Sequence, residues 1–293
     1  MKRLNKGFLG PDLGSFEYAS SRFAVLPVPY EGTVTMGKGT SKGPGAIVGV
    51  SSEIELFDME IGRDFSGAGF ATLKPLAPGA TPQEMVSRVE QAVRRILADG
   101  KFPVTLGGEH SISTGAVRAL AARENGLSVL VIDAHADLRD SYKGSKHNHA
   151  CASRRMGEYA PVVQAGLRNI SDEEAAYAAR EKIAQLWFEP SLRVRDWIDR
   201  ALSALSENVY VSIDLDGLDP SIMPAVGTPE PGGMGWLEIM DLLAQVSRRK
   251  RVVGFDVVEL SPIKGLDAPQ FLAAKLIYKF AGYVLRAEHP EAV

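Results

Sequence analysis

The chain has 293 residues, 45% of them hydrophobic and 24% charged, with a formal net charge of -3. That is ample for a large core, and it excludes the basic face expected of a nucleic-acid binder or of a protein that coats anionic membranes. No uninterrupted apolar run is long enough to cross a bilayer; the basic start Met1-Lys2-Arg3 leads into Asn5, Lys6, Gly10, Pro11, Asp12 and Gly14 rather than a signal-peptide core, and the lone Cys151 precludes an internal disulfide, so a cytoplasmic location is expected.

In chain order, short apolar runs predict strands at Phe23 to Val28, Val104 to Leu106, Leu127 to Ile132, Val162 to Leu167, Gln185 to Phe188, Val209 to Ile213 and Val252 to Val258. Between most of them helical periodicity predicts helices at Pro82 to Leu97, Ser113 to Arg123, Asp172 to Ile183, Leu192 to Leu205, Gly235 to Arg249 and Ala268 to Leu285. In the first of these, Met85, Val89, Ala92, Val93 and Ile96 share a face; Ala80-Thr81-Pro82 starts the helix and Gly100 ends it. Such alternation predicts a parallel sheet covered by helices on both faces. Nothing resembles an interdomain linker or a solenoid repeat, so residues 1–293 are expected to form one domain. The Gly- and Pro-rich segments Gly32 to Gly45 and Gly227 to Gly235 are embedded between elements and are expected to be site loops. Within the first, Gly37 to Gly43 superficially resembles a phosphate loop but completes neither GxGxxG nor GxxxxGK[ST], so nucleotide binding is not expected.

Three strand runs end in polar motifs: Gly107-Gly108-Glu109-His110-Ser111, Asp133-Ala134-His135-Ala136-Asp137 and Asp214-Leu215-Asp216. Alternate residues of a strand share a face, so Asp133, His135 and Asp137 are expected to project together, as are Asp214 and Asp216. Ligands of open parallel sheets bind beyond the carboxyl ends of the strands, where all three motifs fall. Two imidazoles and four carboxylates brought that close call for cations among them. Oxygen and nitrogen donors without thiolate favour Mn²⁺, with Co²⁺, Ni²⁺ or Zn²⁺ as substitutes. Six ligands suit two ions roughly 3.5 to 4 Å apart, an arrangement that makes hydroxide near neutral pH. Two Mn²⁺ ions per chain are therefore expected, in a cluster left slightly anionic and so receptive to a cation.

Each motif alone has a plainer account. An Asp pair at a strand end ordinarily caps a turn, and His110 by itself fits a satisfied loop histidine. Glu109 caps the following helix or hydrogen-bonds behind the ligands, and is not taken as a ligand. His147 is expected to be an exposed loop residue, Asp140 and Asp219 to organise turns, and Asp256 to be structural. Cys151 lies near His149, but no third orienting group accompanies the pair, so buried packing is expected rather than a nucleophile.

Taken together, GGEHS, DAHAD and SIDLDGLDPSIMPAVGTPEPGG resemble the ureohydrolase family, the binuclear manganese enzymes that include arginase and agmatinase, from about Phe23 to Pro262. The resemblance implies a three-layer α/β/α sandwich with a mostly parallel eight-stranded sheet, assembled as a homotrimer or homohexamer. It implies metal-ligand roles for His110, Asp133, His135, Asp137, Asp214 and Asp216. It also implies that His149 shuttles protons near the leaving amine, a role for which His147 competes because their spacing admits a swap, and that Glu259 pairs with a substrate guanidinium. A guanidinium is a poor electrophile, so its hydrolysis needs a strong nucleophile, fixed orientation and protonation of the departing nitrogen. Glu259 would hold its planar N–H edge while Asp137 and His149 pass protons to the amine. Thr228 either contacts substrate or shapes its loop.

Arginases hold the α-carboxylate of their substrate with a loop of Ser, Asn and Gly residues, whereas this chain has HNHACASRRM from His147 to Met156, which resembles prokaryotic agmatinases. Agmatine, cleaved to putrescine and urea, is the expected substrate. Aminopropylagmatine, guanidinobutyrate and arginine are the alternatives, and Arg154 and Arg155 offer countercharge to a carboxylate. A two-metal phosphoesterase would need basic phosphate-binding residues and would find Glu259 repulsive. A catalytically idle scaffold of the same family is the more distant alternative, against which the intact ligand set, shuttle and guanidinium acid all count.

Overall fold

The computed structural model describes residues 7–10 and 17–288. Its strands are β1 (Phe23–Val28), β2 (Phe57–Asp58), β3 (Arg63–Asp64), β4 (Phe70–Thr72), β5 (Phe102–Gly107), β6 (Leu127–Ile132), β7 (Val162–Leu167), β8 (Ala184–Trp187), β9 (Asn208–Asp214) and β10 (Arg251–Val258). The helices are α1 (Gly43–Val50), α2 (Pro82–Ala98), α3 (Ser113–Ala121), α4 (Ala152–Met156), α5 (Asp172–Glu181), α6 (Trp197–Ala204), α7 (Trp236–Arg249) and α8 (Ala268–Glu288). Eight strands make one sheet in the order β4-β1-β5-β10-β9-β6-β7-β8, and every neighbouring pair in it is parallel. β2 and β3 form a separate antiparallel hairpin.

The sequence of the buried strands explains the layering. Along β1, Phe23 and Val25 enter the core shared with α1, α6, α7 and α8, while Ala24, Leu26 and Val28 enter the one shared with α2, α3 and α4. β6 divides in the same way, with Leu130 and Ile132 on the first face and Val129 and Val131 on the second. Strands apolar on both faces are stable only between two helical layers, so the continuous apolar runs themselves require the three-layer α/β/α arrangement. Among the described residues no helix is long and apolar enough to cross a membrane.

Several expected boundaries move. β4 has only three residues and lies at the sheet edge, too short to show a period. The helix expected from Leu192 begins only at Trp197. Leu192 points to solvent, and Arg193 turns back over the Phe188 ring at 4.1 Å, so the first part of that run buries no apolar face. The end of the first glycine-rich segment, Gly43 to Gly45, is the first turn of α1, with a proline in its opening turn.

The order of the sheet positions the site. β5, β10, β9 and β6 are consecutive neighbours at its centre, so their carboxyl ends converge although His110 and Glu259 are 149 residues apart. This is the edge at which open parallel sheets place ligands.

Candidate active site

β5 ends at Gly107, and the next residue sets the path of the motif. An added Cβ at Gly108 would lie 2.0 Å from the Tyr30 carbonyl oxygen, so only glycine lets this backbone pass. The Gly108 N–H donates to Val28 and the Glu109 N–H to Tyr30, fastening the two strand ends together. His110 then opens a short 3-10 turn into α3.

DAHAD keeps part of the strand pairing expected of it, with Asp133 N–H donating to Ala165, Ala136 N–H to Asn169 and His135 bridging Asn169 in parallel. β6 stops at Ile132; beyond it, the Asp133 carboxylate accepts from its neighbour's backbone, His135 N, at 2.6 Å. Asp137 takes a left-handed φ of 50°, a conformation costing a non-glycine residue about 1–2 kcal/mol. Asp214 likewise ends β9, and Asp216 lies in the following 3-10 turn with its N–H donating to Asp214 Oδ1 at 2.9 Å. Extended pairing that runs past the end of β6, followed by turns at Asp137 and Asp216, brings these carboxylates to one side.

Two clusters result. His110 Nδ1 lies 3.1 Å from Asp133 Oδ2, 3.2 Å from Asp137 Oδ2 and 3.3 Å from Asp214 Oδ2. His135 Nδ1 lies 2.9 Å from Asp216 Oδ2 and 3.6 Å from Asp133 Oδ1. Asp133 therefore gives one oxygen to each cluster. His110 Nδ1 and Asp133 Oδ2 are buried and have no hydrogen-bond partner, which is costly unless a cation faces them. Burial, and then the charge of Asp133, pushes Asp137 up to about 7, and the same two causes raise Asp216. Asp214 is driven well above the ordinary carboxylate range by burial and then by Asp216 and Asp133. Divalent ions would relieve this repulsion, and the nitrogen and oxygen donor set fits two of them sharing Asp133.

The clusters open into a cleft lined by Asp137, Asp214, Asp216, His149, Thr228 and Glu259, with His110 and Asp133 buried beneath. Glu259, at φ 66°, accepts from the His110 backbone N–H through Oε1 at 2.6 Å. Burial, and then the nearby Glu109 carboxylate, raises its pKa well above the usual range, so a cation beside it would be strongly favoured. His149 has its pKa lowered to about 4, chiefly by burial, and is neutral at neutral pH. Thr228 Oγ1 is 3.5 Å from Asp216 Oδ2.

The remaining candidates separate cleanly. His147 is half-buried rather than exposed, outside the cleft lining, because the loop folds its ring inward. Asp219 organises a turn, accepting from the backbone of Ser221, Gly232 and Gly233. Asp140 instead pairs with Arg155 at 2.9 Å, and Arg154 stacks over Tyr177 at 3.8 Å, so neither arginine lines the cleft. Cys151 is buried, with its thiol pushed up to about 11 by burial. Glu109 accepts from Gly32 N, Thr33 N, Thr33 Oγ1 and Ser111 Oγ at 2.5–2.7 Å. Burial raises its pKa while those donors pull it back.

Sequence reading missed Arg168 and Ser212 among the supports, while Asp256 is structural as expected. Arg168 donates to the carbonyls of Asp216 at 2.7 Å and Glu230 at 2.8 Å, stapling the second glycine-rich loop to the Asp214 turn. Asp256 is buried and accepts from Tyr210 Oη at 2.7 Å and Ser212 Oγ at 2.8 Å. Ser212 Oγ, its proton committed to Asp256, faces His110 Nε2 at 3.1 Å and can only accept from it. That leaves Nδ1 as the ligating nitrogen. Ser212→Ala is expected to lower divalent-metal affinity about 10- to 100-fold in a protein that still folds, as read by metal titration; unchanged affinity would refute this orienting role.

A parallel eight-stranded sheet with twin His/Asp clusters at its carboxyl edge defines an α/β enzyme architecture with a candidate metal centre. Residues 21–282 match the arginase family, and the chain belongs to it. It is 39% identical over 275 residues to an N(1)-aminopropylagmatine ureohydrolase of Synechocystis sp., covering 91% of this chain and 90% of that protein. An agmatinase of Pyrococcus horikoshii is 31% identical over 278 residues, covering 94% and 96%. Among solved structures, the agmatine ureohydrolase of Thermoplasma volcanium superposes with a TM-score of 0.85 at 32% identity, covering 94% of each chain.

Proposed function

We propose that the protein hydrolyses a linear guanidino amine to urea and an amine, with N(1)-aminopropylagmatine as preferred substrate and agmatine next. One observation carries the reaction class: two clusters share Asp133, and Glu259 and His149 face the same cleft. The order of substrates leans on relatives, since the Synechocystis protein and one of Thermus thermophilus, 40% identical over 271 residues, both carry the aminopropylagmatine name.

The six ligands His110, Asp133, His135, Asp137, Asp214 and Asp216 would hold two divalent ions, Mn²⁺ by preference. When bound, the ions would acidify water enough to supply a strong nucleophile near neutral pH. The free oxygen of Glu259 receives the guanidinium N–H edge and orients the carbon toward the clusters. His149, neutral and within the cleft, passes a proton to the departing amine, with Asp137 across from it. Thr228 closes the wall beside Asp216. The family resemblance supports the rest of the reading: one catalytic domain over 1–293, assembly as trimers or hexamers, and cytoplasmic work in polyamine formation.

A specific observation favours a second reading of the distal end. Arg139 lines the cleft, 3.9 Å from Glu174 and stacked over Tyr142 at 5.1 Å, where it could meet a carboxylate. Urea release with added Mn²⁺ across N(1)-aminopropylagmatine, agmatine, guanidinobutyrate and arginine decides between them. Turnover is expected for the two amines, with a kcat/KM at least about tenfold above that for the two acids, since a mispaired buried charge costs more than 1.4 kcal/mol. Preference for the acids would assign Arg139 as the reader, and no urea from any guanidine would overturn the enzyme.

A further inference from the structure

His149 is held at three points. Its backbone N–H donates to Thr33 Oγ1 at 3.0 Å, its ring Nδ1 lies 3.3 Å from the same oxygen, and its Nε2 lies 3.0 Å from Thr35 Oγ1. A hydroxyl has one proton to give. That of Thr33 goes to Glu109 Oε1 at 2.6 Å; Glu109 Oε2 already receives the Gly32 and Thr33 backbone N–H groups, which can only donate, and donors crowded on one carboxylate favour its ionised, accepting form. Ser111 adds a fourth donor to the same carboxylate. Thr33 Oγ1 can then meet His149 only as an acceptor, so the proton between them belongs to Nδ1. Thr35 can then donate to the lone pair on Nε2, a neutral hydrogen bond that an incoming proton displaces.

We propose that Thr33, itself oriented by Glu109, is a positioning residue that fixes His149 as the Nδ1–H tautomer, presenting an unprotonated Nε2 to the reacting end of the substrate. The inference rests on the reading of His149 as the proton-passing residue, and it adds which nitrogen acts and what selects it. The polarity matters because a neutral imidazole has one acceptor nitrogen. With the tautomer reversed, Nε2 arrives already protonated and cannot take up the proton it must hand on. Glu109 and Thr33 stand 76 residues apart, so the loop after β1 and the turn after β5 set the chemistry of a histidine that belongs to neither.

Nitrogen-15 NMR of the imidazoles in the full-length protein loaded with Zn²⁺ tests the tautomer directly, with the His149 signals assigned by their loss in His149→Asn. The expected spectrum has a pyrrole-type Nδ1 and a pyridine-type Nε2. Thr33→Val should mix or reverse the two and lower kcat by about 10- to 100-fold, within the range of a proton-transfer contribution, at unchanged metal content. Thr33→Ser, which keeps the hydroxyl, should restore both spectrum and rate. An Nε2–H ring in the parent protein, or an unaltered tautomer in Thr33→Val, would overturn the proposal. Full kcat in His149→Asn would instead overturn the proton-passing role beneath it, so the two failures are separable.

Discussion

Asp133→Ala is expected to abolish both metal sites and to lower kcat/KM by at least about 1,000-fold, roughly 4 kcal/mol of lost transition-state stabilisation. The magnitude follows from where the two oxygens point. Oδ2 faces His110 and Oδ1 faces His135, so one truncation opens both clusters, whereas loss of Asp137 or Asp216 opens only the one to which each belongs. A second consequence concerns the metal-free protein. With Asp133 gone, a charge that raises Asp137, Asp214 and Asp216 disappears, but so does the carboxylate that His110 and His135 hold well below its usual range and that raises both of them, so the metal-free variant should be less stable than the metal-free parent. Elemental analysis, urea release and thermal denaturation with chelator check the three statements. A variant retaining two metal equivalents and turning over within tenfold of the parent would show that the clusters do not share this residue.

Glu259→Gln should separate substrate recognition from metal binding. The glutamine carbonyl can still accept from His110 N–H, so the bond that Glu259 Oε1 makes at 2.6 Å survives and the path of the histidine is kept. What disappears is the negative charge on a buried side chain in the cleft wall. Removing one partner of a buried charge pair typically costs 2–5 kcal/mol, which places the expected loss of kcat/KM at about 30- to 3,000-fold. Metal content should be unchanged. Loss of metal in this variant would place Glu259 among the ligands instead of opposite the guanidinium.

Much of this was legible in the residues. The six expected ligands are brought together, and seven of the eight strands of the sheet show in the apolar runs because buried parallel strands must be apolar on both faces. Strand alternation accounts for only part of the convergence of DAHAD: past β6 the backbone still pairs through Asp133 and His135, and the left-handed Asp137 then turns it. His147 was misplaced because sequence carries no signal for which way a loop folds. Arg168 and Ser212 were passed over for a related reason: their partners are carbonyls or side chains of remote segments, and Ser212 and His110 are 102 residues apart.

The sequence by itself determined which ligand atoms exist, that they sit at strand ends, and that the strands need helices on both sides. Only the tertiary structure decided that β5, β10, β9 and β6 lie side by side, that Asp133 is divided between two clusters, and which hydroxyls face the ring nitrogens of His110 and of His149. Those choices depend on hydrogen bonds between segments far apart in the chain, and a proton's location is fixed by the last donor or acceptor in a network rather than by any local pattern.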